Sequence, residues 1–381
     1  MAKLGIDGQW YLVIKIDDTE NFITAQDLVN LEIKEKTGLI LPEILLVFKT
    51  RNEDVLSSFN EGSKIQITLG LNKDENFTSE FISLSLNSEP LGNNYHKIVC
   101  TGLLNTLSLL DTKIYISDKK NAVEEALNQL NNIFNNIDTN IFKSDDKGQN
   151  WIQYYGLSNR QFISNLFLHS WLEKSWLSLG ISMDNTFVLR DILKKIKDTP
   201  KYDWKFTKNE RDPKDIYYSN GAIKDSKSGF FNSIAGYDKV QLINNFEEGN
   251  IRKIENTSDS ILALTDTLMR NKEVEKRVSE FVLNTNNLHD KYYDSALKNM
   301  SNLTLFSTVN LEIVFENFYK PVRILDLVMI NEPSINNNIN NRSTSGLYFV
   351  TEVIRIIRNN SFGTKVILSR EAFNDLKGNL K

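Results

Sequence analysis

The residue types that most often do chemistry are scarce and scattered in this chain. It contains three histidines and one cysteine, and their positions lack the spacing of a metal site: His96, His169, His289 and Cys100. The H-E-x-x-H, Walker, G-x-G-x-x-G and G-x-S-x-G motifs are all absent from the sequence. His169 falls on the apolar face of a predicted helix and Cys100 in a predicted strand, so we expect both side chains to be core residues.

Carboxylate side chains are plentiful but are not arranged in a catalytic pattern. Pairs such as Glu247 with Glu248 and Asp145 with Asp146 lie beside turn residues, where a solvated loop is the expected structure. The sequence therefore predicts no enzyme activity, no metal site and no cofactor. One alternative stays open, because a glycosidase needs no more than two carboxylates that the fold brings together.

Length, charge and cysteine content set the broad class of the protein. A chain of 381 residues is too long for one compact core, so two to four domains are expected. The net charge of −4 and the pI of about 5.7 do not favour a general nucleic-acid binder. The single cysteine excludes an internal disulfide and indicates folding in a reducing cytoplasm. The sequence has no apolar run of about 18 residues and no signal-peptide pattern, so we expect neither a membrane segment nor export.

In the first half of the chain, the spacing of the apolar residues changes at about residue 115. Before that point, short apolar stretches with two-residue alternation are separated by turn signals, which is typical of a sandwich or barrel; they lie at 10–16, 28–34, 43–49, 64–71, 81–87 and 96–104. After it, the apolar spacing is helical. One helix is predicted from Asn121 to Ile137, and a second from Ser158 to about Gly180. A hairpin over 181–192 follows, turning at Asp184 and Asn185.

The second half is irregular until its end. Residues 201–260 contain aromatic side chains without clean periodicity, whereas 261–300 have helical spacing, including Val278, Phe281 and Val282. Three β segments close the chain, with an exposed polar loop at 331–345 before the last of them; they lie at 303–315, 322–330 and, as a hairpin, 345–373.

These patterns predict an α+β fold with two β-rich domains at the chain ends, over 1–115 and 301–381, and the family resemblance described below implies that both are β-barrel domains. Between them we expect a small helical α+β domain over 116–200. An irregular and helical domain over 201–300 follows it and could complete the first barrel.

The last predicted hairpin has apolar residues on both of its faces. Leu347, Phe349 and Val353 point to one side, and the strand before the hairpin is also rich in apolar residues. A strand that is apolar on both faces is buried on both faces. The second face could be covered by another subunit or by the helices of the chain itself. The residues we expect at a subunit interface are Tyr348, Val350, Ile354, Ile356, Leu311, Ile313 and Phe315.

This closing segment resembles the last barrel hairpin of the central baseplate hub proteins of tailed phages. Contractile secretion and injection machines have related proteins. The shared pattern is a small residue and Gly, an aromatic, spaced Val residues, a turn and a strand ending in Arg: here Ser345, Gly346, Tyr348, Val350, Val353, Asn359 with Asn360, and 366–370. Segment 158–181, with the hairpin to Arg190, is similar to the helical unit between the barrels, and 59–71 is similar to a strand of the first barrel. Two departures are Lys320-Pro321-Val322, where a Pro-Gly step is usual, and 201–260, which matches nothing.

The resemblance implies a structural role in a virion. Hub proteins are homotrimers whose two barrels per subunit form a ring that joins a sixfold tail tube to a threefold central spike. The implied partners are a tail tube protein, a central spike protein and other baseplate proteins, with a channel for DNA passage and no specific nucleic-acid binding. The implied location is the phage tail baseplate, after assembly in the host cytoplasm. The alternatives are a tail-associated polysaccharide-binding or hydrolysing protein and a subunit of a bacterial contractile secretion spike.

Overall fold

The structure is a computed structural model, in which β-strands predominate. It describes residues 10–17, 22–24, 26–206, 216–218, 220–226, 239–245, 250–256, 277–283, 288–306, 309–316, 322–331, 345–358 and 361–370. The polar loop predicted at 331–345 lies almost wholly outside these residues, as do the turn at Asn359 and Asn360 and the helical pattern around Leu268 and Val274. Among the helices of the described residues, none is both long and apolar enough to span a bilayer.

The six strands predicted in the first 115 residues are confirmed, and a two-residue strand is added to them. The seven strands are β1 (Tyr11–Ile16), β2 (Phe22–Ile23), β3 (Leu28–Lys36), β4 (Glu43–Thr50), β5 (Lys64–Gly70), β6 (Asn76–Gly92) and β7 (Tyr95–Leu104). Between β4 and β5 lies a short helix, α1 (Glu53–Ser58), which begins where the Asn52 side chain accepts a hydrogen bond of 2.9 Å from the Asp54 amide.

A compact unit of short elements follows. It contains a 3-10 helix (Leu107–Leu110), β8 (Tyr115–Ile116), α2 (Ala122–Leu130), β9 (Asn136–Thr139), β10 (Ile152–Gln153), α3 (Asn159–Leu168), β11 (Leu177–Ile181), β12 (Thr186–Asp191) and α4 (Ile192–Lys195). The predicted helix starts are confirmed. Asn121 caps α2, and Ser158 forms a capping box with Gln161 at the start of α3.

Both of these helices end earlier than the sequence predicts. α3 stops at Leu168 rather than near Gly180, and α2 stops at Leu130 rather than at Ile137. The side chain of Asn299 explains the end of α3, because its Nδ2 donates to the carbonyls of Phe167 and Leu168 at 3.2 and 2.8 Å. Carbonyls that would otherwise need the next helical turn are thus satisfied by a distant residue.

The second half contains more strand than the sequence predicts. Its elements are β13 (Tyr202–Phe206), β14 (Ile216–Tyr218), β15 (Asn220–Ser226), β16 (Lys239–Asn245), β17 (Asn250–Asn256), β18 (Arg277–Leu283), α5 (Tyr292–Phe306), β19 (Val309–Glu316), β20 (Leu327–Asn331), β21 (Gly346–Arg358) and β22 (Ser361–Arg370). The described parts of the stretch 201–260 therefore contain five strands, and the last hairpin is confirmed.

Three predictions in this half are wrong. Val278, Phe281 and Val282 lie in strand β18 rather than in a helix, because β18 pairs with β16 and a register shift in that pairing breaks the two-residue alternation. The segment 303–306 belongs to α5, so the strand predicted from residue 303 begins at Val309. The strand predicted from residue 322 begins at Leu327, because Leu325 has a φ of 63° and interrupts the extended chain.

One sheet joins the two ends of the chain. It contains 14 strands in the order β14-β13-β20-β21-β3-β4-β7-β6-β5-β1-β2, and β22, β19 and β15 branch from β21. β21 pairs with β20 along its first part, where Phe349 lies opposite Leu327, and with β3 along its second part, where Glu352 lies opposite Lys36. β22 pairs with β21 along most of its length.

The buried apolar residues form two large cores, and the last hairpin belongs to both. The first core lies among β1 to β7 and the helices α2 and α3, and it receives Ile357 and Phe362 from the hairpin. The second core contains residues of β13, β19 and β20, and it receives Val350 and Val353. The hairpin is therefore the element that connects the two cores.

Candidate functional site

The junction made by the last hairpin is the part of the molecule where the most distant segments meet. At Thr351 the register of β21 shifts against β22, so that Val350 lies opposite Leu368 and Glu352 opposite Ile367. Such a bulge bends the strand and increases its twist. The bulge lies where β21 changes partner from β20 to β3, so it directs one strand into two cores.

A buried ion pair lies beside this bulge. Nη1 of Arg355 is 3.0 Å from Oε2 of Glu35, and the two residues are 3% and 1% exposed. The other carboxylate oxygen of Glu35 accepts from the Met183 amide at 2.5 Å, and Nη2 of Arg355 donates to the Val322 carbonyl at 2.8 Å. One ion pair thus holds β3, β21, the β11–β12 turn and the segment before β20 together.

The energy of this pair depends on both partners being present. Burial raises the pKa of the Glu35 carboxyl, and the charge of Arg355 opposes that rise. Removing one member of a buried pair leaves an uncompensated charge, which costs about 3–5 kcal/mol. The pair is therefore a strong constraint on how the two cores fit together.

Three residues of the sequence pattern shared with the hub proteins contact one another at the open end of the hairpin. The Arg370 guanidinium lies 4.3 Å from the centre of the Tyr348 ring, and both side chains are buried. Nη1 of Arg370 also donates to the Ser345 carbonyl at 3.0 Å. The small residue, the aromatic and the final Arg of the pattern therefore have a common structural role.

The seven residues predicted at a subunit interface do not share one environment. Five are fully buried in the second core of a single chain, with exposures between 0 and 4%: Tyr348, Val350, Leu311, Ile313 and Phe315. Ile354 is 8% exposed, and Ile356 is more open. Trp204 packs edge-on against Phe315, at 4.7 Å between ring centroids. The chain therefore covers most of the second face of the hairpin with its own residues, and an interface role for these residues stays a prediction.

Two of the histidines, far apart in sequence, meet in the fold. His169 stacks on Tyr292 with the ring centroids 3.5 Å apart, and Nε2 of His289 lies 3.0 Å from the His169 carbonyl oxygen. Burial lowers the pKa of His169 to about 4. In the part of the chain that the structure describes, no group of three or more His, Cys, Asp or Glu residues could hold a metal ion. The cluster packs α5 against α3 and matches the expectation of a core histidine.

Cys100 also has the environment that its strand position predicts. Its side chain is fully buried, and burial raises the pKa of the thiol to about 12. A thiol with such a pKa stays protonated and is a poor nucleophile. Cys100 is therefore a packing residue of the first core.

A cavity of about 560 Å³ lies beside the bulge, between α3, α5 and the hairpin. Its polar lining groups are largely engaged with one another. Glu352 lies within 3.7 Å of the Nζ atoms of Lys34 and Lys36, and the hydroxyls of Thr351 and Ser369 share a hydrogen bond of 2.7 Å. The cavity has no set of convergent free donors and acceptors in the described residues, so we assign it no ligand.

Sequence reasoning missed the residues that define the junction. Glu35 follows Leu31 and Ile33 on the inward face of β3, and Arg355 lies between Val353 and Ile357 on that of β21. Opposite charges at inward positions of two apolar strands were the available signal. The sequence contained no information that these two strands pair.

Comparison with known proteins supports the architecture and not a sequence family. No family model and no curated protein matches the sequence. The tail protein from Neisseria meningitidis MC58 superposes with a TM-score of 0.62 over 95% of this chain and 97% of that protein, at 8% identity. The chain has the fold of phage tail proteins. The 43 kDa tail protein of prophage MuSo2 from Shewanella oneidensis shares this tail-protein fold, with a TM-score of 0.59 at 10% identity over 94% and 96% of the two chains.

The tail-protein fold extends to secretion machines. The E. coli c3393 protein, a component of the type VI secretion system, gives a TM-score of 0.50 at 9% identity over 95% of this chain and 78% of that one. It is described as structurally similar to the T4 tail proteins gp27 and gp5. The resemblance drawn from the closing hairpin to phage tails and contractile machines is therefore confirmed at the level of fold.

The ion pair gives a direct test of the junction. We expect Arg355→Met to lower the free energy of unfolding by about 3–5 kcal/mol, because Glu35 would remain buried without its partner. Arg358→Met is the matched control, since Arg358 lies on the same strand with an exposed side chain. Urea unfolding followed by circular dichroism measures both. Equal stability of the two variants would show that the pair is not a constraint.

Val350 distinguishes a core from an interface. We expect Val350→Asp to abolish soluble folded protein, because the side chain is fully buried in the second core. Ile356→Asp, on the same strand but partly exposed, should keep the fold. The readouts are soluble yield and the near-ultraviolet circular dichroism spectrum. A folded but dissociated Val350→Asp protein would instead place this residue at an interface.

The lowered pKa of the buried His169 side chain predicts how the stability of the fold changes with pH. In the unfolded chain its pKa is near 6.5, whereas in the folded chain it is about 4, so acid favours unfolding. The contribution of His169 is complete above pH 6.5 and declines by up to about 3 kcal/mol as the pH falls towards 4. Melting temperatures between pH 7.5 and 4.5 should fall less steeply for His169→Gln than for the wild type. Equal slopes for the two proteins would contradict this assignment.

Proposed function

We propose that this protein is a structural hub at the tip of a phage tail or a related injection machine. The observation that carries the proposal is the likeness of almost the whole chain to phage tail proteins, with 95% of this chain and 97% of the Neisseria protein superposed. Its fold is also that of a type VI secretion component. Both kinds of machine place a tube on a central spike, and we assign this chain to that junction.

The internal organisation of the chain supports a symmetry-adapting role. Strands from both ends of the chain build one sheet over two cores, and we propose that they form two β-barrels of similar size, with β13, β14 and β15 joining the second. A homotrimer would then present six barrel units to a sixfold tail tube and three subunits to a threefold spike. An internal duplication is a direct way to connect these symmetries.

The same proposal covers partners and charge. The chain would bind a tail tube protein, a central spike protein and other baseplate proteins, in a virion assembled in the host cytoplasm. Its net charge of −4 suits a channel through which DNA passes, because an acidic wall does not hold a polyanion. Ile356 and Ile354 are the predicted interface residues that a neighbour can reach most directly.

Measurement of the native mass tests the trimer. We expect light scattering of the purified protein to give three times the 43.9 kDa of one chain, about 132 kDa, with electron microscopy showing a threefold ring around an opening. A fixed monomer over a wide concentration range would contradict the proposal. Hydrolysis of a capsular polysaccharide by the purified protein would favour the tail-enzyme alternative instead.

A further inference from the structure

A two-stranded ribbon on the small unit has one face in the core and one in solvent. β8 pairs with β10 so that Ile116 lies opposite Ile152 and Tyr115 opposite Gln153. Gln153 is fully buried, and its amide nitrogen donates to the Leu157 carbonyl at 2.9 Å. Tyr115 packs edge-on against Phe162, with the ring centroids 6.2 Å apart.

The solvent face of this ribbon is apolar, which is the reverse of the usual pattern. Alternation places Ile114, Ile116, Ile152 and Tyr154 on the outer side, and we call these four residues the ribbon face. They are 72%, 63%, 40% and 67% exposed. A strand with one buried face normally has polar residues on the other. Here the outer positions carry two pairs of large apolar or aromatic side chains.

The size of the ribbon face fits a protein partner. With the adjacent Tyr155, which is 86% exposed, its exposed fractions amount to more than three large side chains. That is on the order of 600 Å² of surface, since a large aromatic side chain has 150–250 Å². One side of a standard protein interface buries about 800 Å². The ribbon face could therefore supply most of one side of a stable interface.

The same chain has a strand edge that the described strands leave open, on a different element. β5 pairs with β6 from Asn76 to Ile82, and beyond Ser83 the strand pairs with β7 alone among the described strands. We call its segment 84–92 the β6 arm. It carries Leu84 and Leu91, which are 49% and 46% exposed. An open strand edge with exposed leucines is a site that another chain can cover.

We propose that the ribbon face of one subunit packs against the β6 arm of the next copy of this chain. In a closed ring, one surface of each subunit contacts a different surface of the next subunit, and this chain has two such surfaces. Packing them together would remove an apolar face and an open sheet edge from water at once. The inference rests on the proposed trimer and names the surfaces that hold it.

Substitutions on the ribbon face separate this inference from the trimer itself. Ile116→Asp places a charge at the centre of the face and should convert the wild-type trimer to a monomer by light scattering, with its circular dichroism spectrum unchanged. Phe142→Asp is the matched control, because Phe142 is a lone aromatic with 72% exposure outside the ribbon. It should leave the trimer intact.

Cysteine pairs test the orientation of the contact. Because Cys100 is fully buried, it should not form disulfides with the introduced cysteines, so any disulfide between subunits comes from the introduced pair. The double variant Ile116→Cys with Leu91→Cys should give covalent trimers on mild oxidation, whereas Ile116→Cys alone should give no dimer.

The outcomes of these experiments separate the ribbon contact from the proposed trimer. A wild-type trimer that persists in Ile116→Asp would overturn the ribbon contact and leave the hub proposal standing. Covalent dimers of Ile116→Cys alone would show that the ribbon face pairs with itself, which also overturns the proposed geometry. A wild-type monomer at all concentrations would remove both the contact and the trimer.

Discussion

The architecture depends on the ion pair between Glu35 and Arg355. Two charges removed from water are tolerated only when their attraction and their remaining hydrogen bonds are well satisfied. Here the backbone amide of Met183 and the carbonyl of Val322 extend that network. Because the four segments come from widely separated parts of the sequence, the pair specifies one relative placement of the two cores. An apolar pair would have filled the space without fixing the register.

The closing hairpin also has a different meaning in the structure from the one its sequence suggests. Apolar residues on both faces are consistent with burial by a neighbouring subunit or by the chain itself. The observed arrangement is mainly the second, since Val350 and Val353 enter one core and Ile357 and Phe362 enter the other. Among the described residues, a group of exposed apolar side chains lies elsewhere, on the β8–β10 ribbon. In this chain the two-faced apolar strands therefore lie at the centre of the fold.

Sequence patterns predicted the elements whose structure depends on neighbouring residues, and failed for elements whose structure depends on contacts with distant residues. Alternation located the strands of the first 115 residues, and the hydroxyl and amide of Ser158 and Gln161 located the start of α3. The end of α3 depends on Asn299, more than a hundred residues away, which no local pattern could show. The spacing of the apolar residues in β18 fits a helix, and the pairing of this segment with β16 makes it a strand instead. The pairing of the junction residues Glu35 and Arg355 depends on a distant contact in the same way.

The triple pairing of β21 has a consequence for the synthesis of this protein. The edge of β3 receives its partner from residues 352–358, much later in the sequence. During translation, the sheet of β1 to β7 would keep that edge open until these residues had been made. Pairing of such distant segments is slow, and open edges aggregate. A chain that stopped before residue 352 could not close this sheet, so synthesis through the last hairpin becomes a condition for correct folding.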